Sequence, residues 1–336
     1  MPFPLYRRPG TVVFLDDEPA YLDMLAEVMP EAWDLRLFVH PDDCLRALQK
    51  EPARWEIDLW RHQDMLQDWR RGQNLVPLVL RYWREDGLQR YGLCRAWAVD
   101  YSMPALNGLQ TLQALDPWPA SRILLTGRAD EQIAVGAFNA GLIDQYIPKQ
   151  SRDITQRLIR TIERQLADTP APLAGLWQQT LGRDQRAALA HPPVASALAT
   201  VAREAGWVEH LVIGQPFGVL GLNDTGAADW LQLERPSGLR DVAELARLHG
   251  VAEPDARAIE SGVQLFDIEL QLNLGSTQGR VHPARALGDS KQGLIGSLQR
   301  LPDSLAPGPA GGLGAWRARR GERRIESAST GRNGDP

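Results

Sequence analysis

Five polar residues stand at the predicted carboxyl ends of buried strands. Asp16 and Asp17 follow the first apolar run, Asp100 ends a later one, Thr126 ends the next, and Lys149 comes just after the last. The ends of neighbouring parallel strands converge on one crevice, where grouped carboxylates repel each other unless a cation neutralises them. Mg²⁺ suits such a site because it prefers hard oxygen ligands and keeps waters, which leaves positions open for a phosphoryl oxygen.

The same five residues predict phosphoryl-acceptor chemistry. The carboxylate of Asp100 can attack phosphorus in line while the Thr126 hydroxyl and the Lys149 ammonium hold phosphoryl oxygens. Taken singly, each residue has a simpler explanation, because aspartates often cap helices or turns and lysines often lie on the surface. Their joint placement favours an acceptor site in which Asp100 receives the phosphoryl group.

The elements that must position these residues alternate along the first half of the chain. Apolar and β-branched runs predict strands, and amphipathic runs predict helices between them. The strands are predicted at 11–15, 35–39, 96–99, 122–126 and 145–147, and the helices at 21–29, 41–48, 106–115, 130–139 and 151–166. This order predicts an α/β fold, a doubly wound five-stranded parallel sheet with helices on both faces.

A stretch at about 50–95 interrupts this alternation. Its pattern predicts an inserted hairpin of two amphipathic helices, at 57–71 and 76–91, separated by Gly72-Gln73-Asn74. Four tryptophans lie in it, at positions 55, 60, 69 and 83. They either pack the hairpin onto its domain, which we favour, or form a surface for a partner or a second copy.

Four short motifs resemble the receiver domain of two-component response regulators, from Thr11 to about Leu166. They are Leu15-Asp16-Asp17-Glu18-Pro19, Val99-Asp100-Tyr101-Ser102-Met103-Pro104 followed by Gly108, Leu125-Thr126-Gly127, and Tyr146-Ile147-Pro148-Lys149. The resemblance implies a flavodoxin-like fold. The spacing between the first two motifs is wider than is usual in that family, and the helical hairpin accounts for it.

The resemblance also implies roles for individual residues. Asp100 would be phosphorylated by a sensor histidine kinase or a phosphotransfer protein. Mg²⁺ would be bound by Asp17, Asp100 and the backbone carbonyl of Ser102, with Asp16 as a further metal-site residue acting nearby or through water. Thr126 and Tyr146 would be the switch pair that remodels an interaction surface. A homodimer is a further expectation, and the receiver's own phosphorylation and dephosphorylation would be its only chemistry.

The second half predicts a different domain. We expect a receiver domain at 1–168, a linker at 169–173, an α+β output or binding domain at 174–302 and a disordered tail at 303–336. Within the α+β domain the patterns predict helices at 186–205, 239–248, 253–261 and 293–301 and strands at 211–213, 217–222 and 229–233. The hairpin that includes the last two strands weakly resembles those of PAS-like sensory folds, but an ordinary antiparallel hairpin explains it better.

No motif of a common output domain is found in the second half, so we expect it to bind an unidentified output protein. Two alternatives stay open. One is an enzyme with an unrecognised activity that uses acids such as Asp255, Glu260, Asp267 and Glu269. The other is a DNA-binding regulator that uses the basic cluster beside Trp316, formed by Arg317, Arg319, Arg320, Arg323 and Arg324. A net charge of −5 disfavours nucleic acid as a partner.

Composition bears on the compartment. The chain has only two cysteines, Cys44 and Cys94, both in apolar surroundings, and six scattered histidines without metal-ligand spacing. No run reaches the roughly 18 uninterrupted apolar residues of a membrane-spanning helix. We therefore expect a cytoplasmic protein without a membrane span.

Overall fold

The structure is a computed structural model that describes residues 2–85, 89–104, 106–115, 119–127, 131–289, 293–320 and 325–326. The described strands are β1 (Tyr6–Arg7), β2 (Thr11–Leu15), β3 (Asp34–Phe38), β4 (Cys94–Asp100), β5 (Ser121–Thr126), β6 (Gln145–Pro148), β7 (Trp207–Gly214), β8 (Phe217–Asn223), β9 (Ala228–Glu234), β10 (Gln264–Phe266), β11 (Val281–Pro283), β12 (Arg285–Leu287), β13 (Leu294–Arg300) and β14 (Ile325–Glu326). The described α-helices are α1 (Pro19–Val28), α2 (Pro41–Leu48), α3 (Glu51–Arg70), α4 (Leu75–Glu85), α5 (Gly108–Gln113), α6 (Glu131–Asn139), α7 (Ile154–Ala167), α8 (Ala171–Gln178), α9 (Arg183–Ala190), α10 (Pro192–Glu204), α11 (Leu239–Leu248), α12 (Glu253–Glu260), α13 (Ile268–Asn273) and α14 (Leu313–Arg320).

The chain forms two compact units, each assembled from separate segments. The parallel-sheet unit comprises Pro9–Asp58, Arg90–Asp168 and Arg320–Pro336. The antiparallel-sheet unit comprises Met1–Arg8, Leu59–Gln89 and Thr169–Arg319. Among the residues that the structure describes, no helix combines the length and apolarity needed to cross a bilayer.

The parallel-sheet unit has the predicted doubly wound fold. Its strand order is β14-β3-β2-β4-β5-β6, and every pairing is parallel. All residues of β2 and β4 are buried, because helices cover both faces of such a sheet. The five predicted strands are confirmed, and β14 adds a sixth at the edge next to β3.

Gly108 lets α5 begin close to the end of β4. A Cβ atom at this position would lie 2.4 Å from the backbone oxygen of Asp100, a distance that no real side chain tolerates. Asn107 caps the helix by accepting from the Gln110 amide, while the Gln110 side chain accepts from the amide of Asn107. The glycine and the capping box therefore position the loop that follows Asp100.

The antiparallel-sheet unit is built on a second sheet, with strand order β1-β7-β8-β9-β13-β12. Helices α9 and α10 contribute to its main core through buried residues such as Leu189 and Leu198. The predicted helix at 293–301 is wrong, because this segment forms β13, which pairs with β9 and β12. Its apolar spacing fits a helix locally, but partners distant in sequence decide its conformation. The predicted hairpin of β8 and β9 is present, and its PAS-like resemblance stays a prediction.

The predicted helical hairpin is present but is divided between the units. Helix α3 begins at Glu51 and belongs to the parallel-sheet unit up to Asp58, whereas residues 59–89 belong to the antiparallel-sheet unit. This corrects the assignment of the whole insertion to the receiver domain. The reason is packing: the buried indole of Trp83 donates to the buried carboxylate of Glu209 on β7 at 3.0 Å. Trp60, in contrast, is 57% exposed.

Two further predicted boundaries are wrong. The expected linker at 169–173 overlaps α8, which starts at Ala171. The expected disordered tail contains α14 and β14, because its backbone finds partners in the folded chain: the amide of Gly308 donates to the carbonyl of Gly226 at 3.0 Å. Residues 321–324 and 327–336 of that predicted tail lie outside the described residues.

Candidate acidic site of the parallel sheet

The three predicted aspartates meet at the carboxyl ends of β2 and β4. These strands are adjacent in the sheet, with Leu15 opposite Val99, so Asp16 and Asp17 leave β2 beside Asp100 at the end of β4. Each aspartate has a carboxylate oxygen within 4.8 Å of the others. This is the point where the strand order reverses, since β2 pairs with β3 on one side and β4 on the other.

Lys149 bridges two of these carboxylates. Its Nζ lies 2.6 Å from Oδ2 of Asp16 and 2.8 Å from Oδ1 of Asp100. The other oxygen of each aspartate accepts a backbone amide hydrogen, from Glu18 at 3.1 Å and from Ser102 at 3.2 Å. Both carboxylates are thus oriented by their own loops and held together by one ammonium.

Burial governs the electrostatics of this site. The Asp16 side chain is only 1% exposed, and its burial raises the pKa of the carboxyl even though Lys149 opposes the shift. Burial alone lowers the pKa of Lys149, but hydrogen bonds and charge from Asp100 and Asp16 outweigh it, so the pKa of the lysine is raised. The ammonium is therefore protonated at neutral pH.

Thr126 lies at the same rim with its hydroxyl unused. It ends β5, and its carbonyl accepts the amide hydrogen of Lys149 at 2.9 Å, which ties this strand end to the lysine. Its Oγ1 is buried and has no hydrogen-bond partner among the described residues. Tyr146 is half-buried in β6, beside Leu124 of β5. Its switch role stays a prediction.

The donors suit a hard divalent cation. Asp16 and Asp100 are buried and Asp17 is exposed, so their oxygens combine a shielded side with a side open to water. This is the donor type and partial hydration that Mg²⁺ accepts. The residues present therefore fit the predicted metal, and the roles of Asp17 and the Ser102 carbonyl stay predictions.

Tyr21 is a neighbour of this site that sequence reasoning missed. It lies in α1, four residues after Asp17, and Nζ of Lys149 is 5.0 Å from the centroid of its ring. The available signal was its spacing from the acidic pair, in the first turn of the helix that begins at Pro19. A tyrosine at a helix position with buried neighbours has many explanations, so spacing alone does not single it out.

The residues that the two alternative functions would use differ from one another in burial and in their partners. Glu260 binds Arg247 on an exposed face, Glu269 is exposed, and Asp255 is half-buried. Asp267 is buried and accepts from His282 at 3.0 Å, from Gln271 and from the Arg280 amide. Of the basic cluster, Arg317 and Arg319 are exposed and Arg320 pairs with Asp34, whereas Arg323 and Arg324 lie outside the described residues.

No protein-family model and no curated protein matches the sequence. Among solved structures, the chain is similar to the Legionella pneumophila response regulator LqsR, with 20% identity, a TM-score of 0.67, and coverage of 90% of this chain and 91% of that one. A response regulator receiver domain protein from Clostridium thermocellum matches 47% of this chain at 16% identity and covers 94% of its own length, with a TM-score of 0.32. The receiver domain of NtrX from Brucella abortus matches 47% at 19% identity and covers 99% of its own length, with a TM-score of 0.31.

These last two TM-scores are too low to establish a shared fold. The first match covers more of the chain than either unit contains, so it includes parts of both. We conclude that this chain has the fold of the response regulator LqsR, with the acidic site in the unit built on the parallel sheet.

Proposed function

We propose that the chain is a two-component response regulator in which Asp100 accepts a phosphoryl group from a sensor histidine kinase or a phosphotransfer protein. The observation that carries the proposal is the joint placement, at one rim of a doubly wound sheet, of three carboxylates, a bridging lysine and a hydroxyl that has no partner among the described residues. Grouped carboxylates repel each other, so the packing of the fold alone gives no reason to bring them together.

The transfer is an in-line displacement at phosphorus. A carboxylate oxygen of Asp100 forms a bond to phosphorus while the bond from phosphorus to the donor histidine nitrogen breaks, and the electron pair leaves with the imidazole. Lys149 is close enough to exchange its contact with Oδ1 of Asp100 for a phosphoryl oxygen. Thr126 can donate its free hydroxyl hydrogen to a second phosphoryl oxygen.

Asp16, Asp17, Asp100 and the Ser102 carbonyl would hold Mg²⁺, which supplies positive charge for the phosphoryl oxygens when it is bound. The protein's own contribution is to orient the Asp100 carboxylate, through the Ser102 amide and the Lys149 ammonium. Burial of Asp16 and Asp100 excludes water from one side of the acceptor and strengthens these interactions.

Phosphorylation would act as a switch rather than as a step in metabolism. Movement of Thr126 toward the phosphoryl group, followed by Tyr146, would change a surface that binds an output protein or a second copy of the chain. We infer that the protein works in the cytoplasm, where sensor kinases present their phosphohistidines. The antiparallel-sheet unit, with the hairpin residues 59–89, is the proposed output part.

The test is the mass of the intact protein after incubation with Mg²⁺ and acetyl phosphate. The wild type is expected to gain one phosphoryl group, and Asp100→Asn is expected to gain none. Asp153→Asn is the matched control, because Asp153 is exposed and pairs only loosely with Arg160 at 3.5 Å. Absence of the added mass in the wild type, or its persistence in Asp100→Asn, would refute the proposal.

A further inference from the structure

Tyr21 forms part of the surroundings of the Lys149 ammonium. Nζ of Lys149 is 5.0 Å from the centroid of the Tyr21 ring, and the same nitrogen contacts Asp16 and Asp100 at 2.6 Å and 2.8 Å. The electron-rich ring face attracts the ammonium. Two carboxylates and one aromatic ring thus surround the group that is proposed to meet the phosphoryl oxygens.

The hydroxyl of Tyr21 has no evident purpose in the protein without a phosphoryl group. Its oxygen is buried and has no hydrogen-bond partner among the described residues. A buried polar group without a partner is unfavourable, and such groups are few in folded proteins. Thr126 shows the same feature at the same site, where its hydroxyl is also buried and has no partner in the part of the chain that the structure describes. Two unused donors beside one acidic site indicate an acceptor that arrives later.

The phenol remains a donor at every physiological pH. Burial raises the pKa of Tyr21 to about 12, with Lys149 opposing the shift and Asp16, Asp100 and Glu18 adding to it. Of these residues, Asp16, Asp100 and Lys149 form the acidic site itself. The hydroxyl hydrogen is therefore retained on a ring that lies against the Lys149 ammonium of this site.

We propose that Tyr21 is a further phosphoryl-binding residue, whose hydroxyl donates a hydrogen bond to the group carried by Asp100 while its ring holds Lys149. The inference rests on the proposed function, because it needs Asp100 to carry a phosphoryl group. A tetrahedral phosphoryl group brings three oxygens, enough for Lys149, Thr126 and Tyr21 to contact one or another of them.

The test uses beryllofluoride, a stable mimic of the phosphoryl group, at a fixed Mg²⁺ concentration, with affinity measured by calorimetry. Tyr21→Phe removes only the hydroxyl and is expected to weaken binding about tenfold or more, as the loss of one hydrogen bond to a charged group predicts. Tyr21→Leu also removes the ring and is expected to bind more weakly still. Tyr82→Phe is the matched control, because it removes a phenol that accepts from Arg8 at 2.7 Å in the antiparallel-sheet unit.

Stability separates this role from a structural one. Without beryllofluoride, Tyr21→Phe is expected to be as stable as the wild type or more stable, because it removes a buried hydroxyl that has no partner among the described residues. A structural role would instead lower both stability and affinity.

Three outcomes would overturn the inference. If Tyr21→Phe binds as the wild type does and only Tyr21→Leu is weaker, the ring acts alone and the hydroxyl has no role. If neither variant differs from the wild type, Tyr21 is not part of the site. If the wild type itself neither binds beryllofluoride nor gains mass with acetyl phosphate, the proposed function fails and this inference fails with it.

Discussion

Replacing Lys149 with methionine is expected to destabilise the parallel-sheet unit in metal-free buffer. The substitution keeps the length and most of the volume of the side chain but removes the ammonium that contacts Asp16 and Asp100 at 2.6 Å and 2.8 Å. The two side chains are 1% and 6% exposed, so water cannot replace the lost cation well. Breaking a buried pair costs about 3–5 kcal/mol, and we expect about 3 kcal/mol because Lys149 itself is 24% exposed.

Hydrogen exchange of the β4 amides, followed by mass spectrometry, reports the opening of this unit separately from the other. A loss of about 3 kcal/mol corresponds to roughly hundredfold faster exchange. Lys50→Met is the matched control, since Lys50 is exposed and its loss should change stability by about 0.5 kcal/mol or less. Added Mg²⁺ should protect Lys149→Met more than the wild type, because a cation then replaces the ammonium.

The sign of the pH dependence follows from Asp16. Its pKa is raised in the folded protein, so its contribution to stability is complete below the unfolded pKa and is lost as the pH rises through the folded one. In Lys149→Met the interaction that lowers the pKa of Asp16 is missing, so this pKa rises further above its ordinary value. The loss of stability in Lys149→Met relative to the wild type should therefore become smaller as the pH falls from 7 toward 4. Equal exchange in both proteins at pH 7, or a deficit that grows on acidification, would refute the reasoning.

Three other substitutions test separate parts of the structure. Gly108→Ala should lower stability by about 1–3 kcal/mol and slow the proposed phosphorylation, because its Cβ would press on the backbone of Asp100. Gly136→Ala is the control, because its Cβ would enter open space and the change should be neutral or stabilising. Equal thermal unfolding of the two variants would contradict this. Thr126→Val should leave stability unchanged or raise it by about 1 kcal/mol, since its buried hydroxyl has no partner among the described residues. The same change should slow the proposed phosphoryl transfer, measured by intact mass. Trp83→Phe should destabilise the antiparallel-sheet unit by about 2 kcal/mol through loss of the hydrogen bond to Glu209, and it should leave the proposed phosphorylation unchanged. If hydrogen exchange becomes faster in the parallel-sheet unit instead, the division of the hairpin between the units is contradicted.

The sequence alone determined the parallel sheet and the positions of its charged residues. Strands β2 and β4 are continuous apolar runs because both faces of the sheet are covered, and such runs are visible without a structure. Because parallel strands in this fold present their carboxyl ends at one edge, Asp16, Asp17 and Asp100 could be predicted to meet before any distance was known.

Only the tertiary structure decided which segments share a unit and which side chains complete the site. Residues 294–300 have apolar spacing that fits a helix, yet they form β13 because β9 and β12 supply its hydrogen-bond partners. The hairpin residues 59–89 lie in the antiparallel-sheet unit, where Trp83 finds Glu209 across 126 positions of sequence. Tyr21 lies beside Lys149 because the fold brings α1 next to the residue that follows β6, although 128 positions separate the two residues. Local patterns record a residue's own preferences, whereas contacts between distant segments depend on how the whole chain packs.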